Sequence, residues 1–205
     1  EAIAVSLNKA QNIRRISGTP ALLHSLEIAR IVVEEIGLGR TSLICSLLYD
    51  VLRNHEISIE EIREKFSDHV VTIMEGLGKV ADLYSRNPVI RSENFRKLLL
   101  TFAKDVRVIL VIIADRLRTM RTLDRYDAES REYITSEVSY LYAPMAHRLG
   151  LYKIKSEMED LVMKHTNRDM YKYIARKLKE TKRARDKYIR EFIAPLEKEL
   201  KKQGL

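Results

Sequence analysis

The chain has 205 residues, 45% hydrophobic and 32% charged, which is enough for one large domain, alone or with an appendage, and too apolar for a disordered chain. Its single cysteine, Cys45, excludes an internal disulfide, and neither a run near the roughly 18 apolar residues of a membrane span nor a basic-then-apolar leader is present, so a soluble cytoplasmic protein is expected. The net charge of +8 is uneven, with 16 Lys and Arg against 9 Asp and Glu in residues 151–205 and 21 against 20 in residues 1–150.

Few glycines and prolines, with apolar residues mostly three and four apart, predict an almost wholly helical protein. A first helix is expected over about residues 1–14, ending before the turn Ser17-Gly18-Thr19-Pro20. Thr19-Pro20 opens a second, running to Ile36 with Leu22, Leu26, Ala29, Val33 and Ile36 on one face and Gly37 and Gly39 at its exit. The third starts near Thr41 or Ser42 and is apolar almost all round from Leu43 to Leu52, which puts Asp50 near a buried end, where a carboxylate needs a partner.

Ser58-Ile59-Glu60-Glu61 fits a capping box opening a helix to Phe66, and a further helix runs from about Asp68 to Tyr84, followed by a loop at Ser85-Arg86-Asn87-Pro88. Two consecutive helices fill Glu93 to Thr122; the second is a core element whose apolar run ends at Asp115. Later helices are expected at about 128–148, 151–165, 168–178 and 180–203. The basic tail invites a nucleic-acid reading through counterion release. Between Tyr171 and Lys202, however, the cations alternate with Glu180, Asp186, Glu191, Glu197 and Glu199 at helical spacing, as on a solvated helix or one lying against another domain.

His24, Asp50 and Asp115 are potential metal ligands, although a lone helical His is more often packed and a lone Asp at a helix end is often a cap. Their surroundings change that reading. Arg15-Ile16-Ser17-Gly18-Thr19-Pro20 leads to His24, Cys45-Ser46-Leu47-Leu48-Tyr49-Asp50-Val51 is similar to A-x-L-L-H-D-V, and Ser92-Glu93-Asn94-Phe95-Arg96-Lys97-Leu98-Leu99 to A-E-N-F-R-K-M-L. Asp105-Val106-Arg107-Val108-Ile109-Leu110 is similar to D-I-R-V-I-L, Ala114-Asp115-Arg116-Leu117-Arg118-Thr119-Met120-Arg121 to A-D-R-L-H-N-M-R, and Tyr142-Ala143-Pro144-Met145-Ala146-His147-Arg148-Leu149-Gly150 to Y-A-P-L-A-H-R-L-G. Together these motifs resemble the N-terminal HD hydrolase domain of the long RelA/SpoT-type family of guanosine-polyphosphate enzymes.

The resemblance implies an all-α HD-domain helical bundle of about nine to eleven helices. It would occupy residues 1–160, with residues 161–205 as linking helices toward a synthetase domain. Active members remove pyrophosphate from the 3′ position of ppGpp or pppGpp with manganese held by two His and two Asp. Such an ion lowers the pKa of bound water while an acidic pair handles protons.

The metal positions fall on His24, Tyr49, Asp50 and Asp115, and the acidic pair on Arg53 and Asn54. Tyr49 is a neutral phenol in place of an imidazole, Arg53 a fixed cation in place of a carboxylate, and Asn54 cannot relay a proton. Arg118 and Thr119 replace a His-Asn pair, and His55 and Glu56, one or two residues past the lost pair, are turned by roughly 100° or 200° on a helix.

The resemblance also places Arg15, Ser17, Arg121 and Thr122 at the guanine-nucleotide cleft; the alternative is that they serve the fold, Ser17-Gly18 as a turn and Arg121 as a paired surface residue. A silent hydrolase-like domain is therefore expected, regulating a (p)ppGpp synthetase (GTP pyrophosphokinase) joined to it in cis. No cofactor is expected, manganese being the metal that the remnant set would hold. Guanine nucleotide (ppGpp, GDP or GTP) is the expected ligand, and ribosome contact belongs to regions outside this chain. The alternatives are a living hydrolase with altered ligands and a basic helical RNA- or ribosome-binding module.

Overall fold

The computed structural model describes residues 1–86 and 105–202. The predicted helix beginning at Glu93, the motif Ser92 to Leu99 and the Asn87-Pro88 half of the predicted loop lie outside the described residues, whereas Ser85 and Arg86 are helical. Residues Glu1–Val162 form one compact unit and Met163–Leu205 another.

The all-α expectation holds: the described residues contain no strand, only an isolated antiparallel bridge between Arg14 and Pro20. α1 is Ala2–Lys9, ending five residues earlier than expected, because residues 13–21 instead fold into a hydrogen-bonded loop. α2, Ala21–Arg30, runs on as a π-helical turn, Ile31–Glu35. α3 is Arg40–Arg53, α4 Ile59–Lys65 and α5 Asp68–Arg86. α6 is Val106–Arg121. α7 is built of Ala128–Glu137, a second π-helical turn Val138–Tyr142, and Ala143–Arg148. α8 is Tyr152–Thr166, and α9, Arg168–Lys202, is a single helix where two were expected. Its predicted break near residue 179 had no glycine or proline to enforce it, and the helix accommodates Pro195 further on.

Local chemistry sets these boundaries. Ser58 accepts a hydrogen bond from Glu61 N while the Glu61 side chain accepts one from Ser58 N, which completes the predicted capping box at the start of α4. Asp105 caps α6 by accepting from Arg107 N, and Asp127 caps α7 by accepting from Ser130 N.

The core sits where α3 lies against α2 and α5, with α6 crossing all three. Leu48, Ile73, Leu77, Ile112 and Leu117 are among its fully buried side chains. Of the predicted face, Ala29 is buried but Leu26 and Val33 are each 41% exposed, and the helix also buries Ala21, His24, Ser25 and Ile28. Two polar residues lie on that inner face, so the apolar stripe alone pointed about a quarter-turn away. Among the described residues no helix is long and apolar enough to cross a membrane. In the second unit, Lys177–Glu180 and Lys187–Glu191 pair along α9, the interleaving expected of a solvated face.

Candidate functional site

The site begins with the loop after α1. Arg15 N donates to Thr19 O at 2.9 Å, Gly18 N to Arg15 O at 2.8 Å, and Ala21 N to Ile13 O at 3.0 Å. Gly18 makes this closure possible at φ +78°, a left-handed conformation that side chains disfavour. Ser17 Oγ donates to Thr19 Oγ1 at 3.0 Å, so the loop closes on its own polar atoms. The backbone of Arg15 is thereby pinned at the mouth of the bundle.

From there the Arg15 guanidinium reaches two helices at once. Nη1 donates to Asp50 Oδ1 of α3 at 2.8 Å and Nη2 to Asp115 Oδ1 of α6 at 2.9 Å. Both carboxylate side chains are fully buried. Their other oxygens are also engaged: Ser25 Oγ donates to Asp50 Oδ2 at 3.2 Å, and Arg116 Nη1 to Asp115 Oδ2 at 3.3 Å. His24 Nε2 lies 2.7 Å from Asp115 Oδ1, and because a carboxylate only accepts, that nitrogen carries the hydrogen. Burial alone would push the Asp115 carboxyl up, yet Arg15, the His24 hydrogen bond and Arg116 together hold it well below the usual carboxylate range.

His24, Asp50 and Asp115 are thus brought together, the set that the resemblance implies, but around a guanidinium. An ion held between Asp50 and Asp115 would have to displace the Arg15 guanidinium that bridges them, and ligation by the His24 Nε2 needs that nitrogen unprotonated. Among the described residues no group of three or more His, Cys, Asp or Glu side chains is arranged to hold a metal ion. In this arrangement the donor set does not fit a divalent cation.

Tyr49 is nearly buried beside this cluster, and burial, reinforced by the Asp115 charge, raises its phenol. Asn54 ends α3, its Nδ2 donating to Asp50 O at 2.7 Å, and His55 follows at φ +58°. Tyr49, Arg53, Asn54 and His55 all line a cavity of about 880 Å³, as do Arg14 and Arg15. His55 therefore reaches the cavity through its left-handed backbone, which a helical rotation does not describe.

Arg116 and Glu137 line it too, Arg116 Nε lying 3.2 Å from Glu137 Oε2. Burial raises the Glu137 carboxyl despite the opposing charge of Arg116. Glu137, Tyr126 and Tyr133 are cavity residues that the sequence reading missed. No motif marks them: Ala128–Glu137 carries three glutamates, and only packing shows that Glu137 is the buried one.

The other expected nucleotide residues lie elsewhere. Arg121 is clamped by Glu35 at 2.7 Å and Glu157 at 2.6 Å, and Thr122 Oγ1 accepts from Arg118 Nη1 at 2.7 Å. Arg118 also pairs with Glu27. Neither Arg121 nor Thr122, nor Ser17, lines the cavity.

Residues 2–152 match the family described as HD domain. The chain belongs to the HD domain family. It is 35% identical over 193 residues to a guanosine-3′,5′-bis(diphosphate) 3′-pyrophosphohydrolase of Aquifex aeolicus, covering 94% of this chain and 27% of that protein. It is 34% identical over 209 residues to a GTP pyrophosphokinase of Myxococcus xanthus, covering all of this chain and 28% of that one. With the bifunctional (p)ppGpp synthase/hydrolase SpoT of Escherichia coli it shares 31% identity over 206 residues, 29% of that protein.

The chain therefore spans under a third of the length of these relatives. A solved structure, described as a metazoan ortholog of SpoT that hydrolyzes ppGpp, superposes with a TM-score of 0.61 at 16% identity, covering 80% of this chain and 93% of that one, and it shares the fold. The RelA/SpoT-type motifs thus reflect homology to the HD regions of longer proteins.

Proposed function

We propose that this HD domain is a hydrolytically silent relative of the (p)ppGpp 3′-pyrophosphohydrolases, serving as a regulatory module for a (p)ppGpp synthetase joined to it in cis. In this reading residues 1–160 are the silent domain and residues 161–205 the helices that lead toward the synthetase.

The observation that carries it is Tyr49. This residue lies next to Asp50 where the family motif has its second imidazole, and its phenol is buried and pushed up by that burial, so it offers no anionic or imidazole ligand. The proton-handling positions support the same reading, since Arg53 brings a cation to the cavity wall and the Asn54 amide is spent on the Asp50 carbonyl. A cavity of about 880 Å³ with Arg14, Arg53 and Arg116 on its walls suits a phosphorylated ligand, and guanine nucleotide is the class we assign to it.

Steady-state incubation of the chain with ppGpp and manganese tests the reading. No pyrophosphate release is expected; metal-dependent turnover that disappears in Asp115→Ala would sink it.

A further inference from the structure

We infer that Arg15 is the permanent internal cation of this site, a guanidinium in the place of a divalent ion, so that Asp50 and Asp115 are held together and the domain is folded without metal. The inference deepens the silent-site reading.

Four observations carry it. The two arms of the guanidinium bridge Asp50 and Asp115 at 2.8 and 2.9 Å. The remaining carboxylate oxygens are taken by Ser25 and Arg116, so all four carry a protein hydrogen bond. Arg15 lines the cavity whereas His24, Asp50 and Asp115 do not, so the guanidinium stands at the face from which an ion would arrive. The Arg15 backbone is held by the closed loop through Thr19 O and Gly18 N. Two buried carboxylates without a counter-charge are strongly disfavoured, and a bidentate guanidinium meets their geometry as a hydrated ammonium cannot.

The test is thermal unfolding in chelator and in manganese, for the wild-type chain and for Arg15→Gln. Anything that binds the folded state alone raises the unfolding midpoint. The wild-type midpoint is expected to be the same in both buffers. Arg15→Gln should melt lower than wild type in chelator and recover by roughly 5 °C in manganese at about a hundredfold excess over its dissociation constant. A wild-type midpoint that rises with manganese as far as that of Arg15→Gln would overturn the inference, as would a folded Arg15→Gln indifferent to the metal.

If Arg15→Gln folds in neither buffer, the charge-matched Arg15→Gln/Asp50→Asn chain decides. It should fold, and an unfolded double variant would contradict the counter-ion role. The silent-site reading fails separately, by pyrophosphate release.

Discussion

Asp50 and Asp115, on helices α3 and α6, share one counter-ion, the Arg15 guanidinium, at 2.8 and 2.9 Å. The two carboxylates are not equivalent. Asp115 also accepts from His24 and Arg116, whereas Asp50 adds only Ser25. Asp115→Ala leaves more buried partners uncompensated and is expected to cost about 3–5 kcal/mol, against about 1–3 kcal/mol for Asp50→Ala. Urea unfolding at neutral pH measures both, and the reverse order would contradict the shared-cation geometry.

Helices α5 and α6 touch at a glycine. A Cβ built on Gly76 would lie 2.6 Å from Val108 Cγ2, a branched side chain with little freedom to move away. Gly76→Ala should therefore cost about 1–3 kcal/mol by overpacking. Adding Val108→Ala should recover part of the loss, because the two substitutions relieve the same contact. Strict additivity in the double-variant cycle would show that the helices do not meet there.

Arg121 gives a pH signature. Its hydrogen bond, opposed by partial burial and aided by its charge and that of Arg30, holds the Glu35 carboxyl below its ordinary 4.5. A carboxylate with a depressed folded-state pKa contributes stability above its unfolded pKa and loses it as the pH falls through the folded value. The stability difference between wild type and Arg121→Gln should accordingly be flat from neutral pH to about 4.5 and shrink below it. Because Glu35 is partly exposed, added salt should shrink it too. A difference that grows on acidification would reverse the assignment.

Cys45 tests the tightness of the core. The thiol is fully buried on α3, within 3.8 Å of Val70 O, and burial pushes its pKa up to about 12. At about pH 8 it should resist aromatic disulfide reagents until the chain is unfolded by denaturant, since the thiolate is the reactive form. Rapid labelling of the native chain would mean that α3 and α5 open readily.

The helical architecture is legible because glycines and prolines are few and the capping chemistry at Ser58 is local. The site was legible in part. Resemblance to the family motifs points to His24, Asp50 and Asp115, and Asp50 at a buried helix end already requires a partner. That the partner is Arg15 could not be read from the chain, because the contact to Asp115 joins residues 100 positions apart. The inner face of α2 was misjudged since His24 and Ser25, which serve the carboxylates, occupy positions that a hydrophobic stripe excludes. Arg121 matches a motif, but its partners Glu35 and Glu157 are set by packing among three helices, whereas the partner of Thr122, Arg118, lies four residues back at the end of the same helix.

The central claim is that the site no longer performs hydrolysis, and a single-turnover assay tests it most directly. With the chain in excess over radiolabelled ppGpp and manganese present, wild type and Asp115→Asn are expected to leave the 3′-pyrophosphate intact to the same extent. Release by the wild-type chain that Asp115→Asn abolishes would contradict the account.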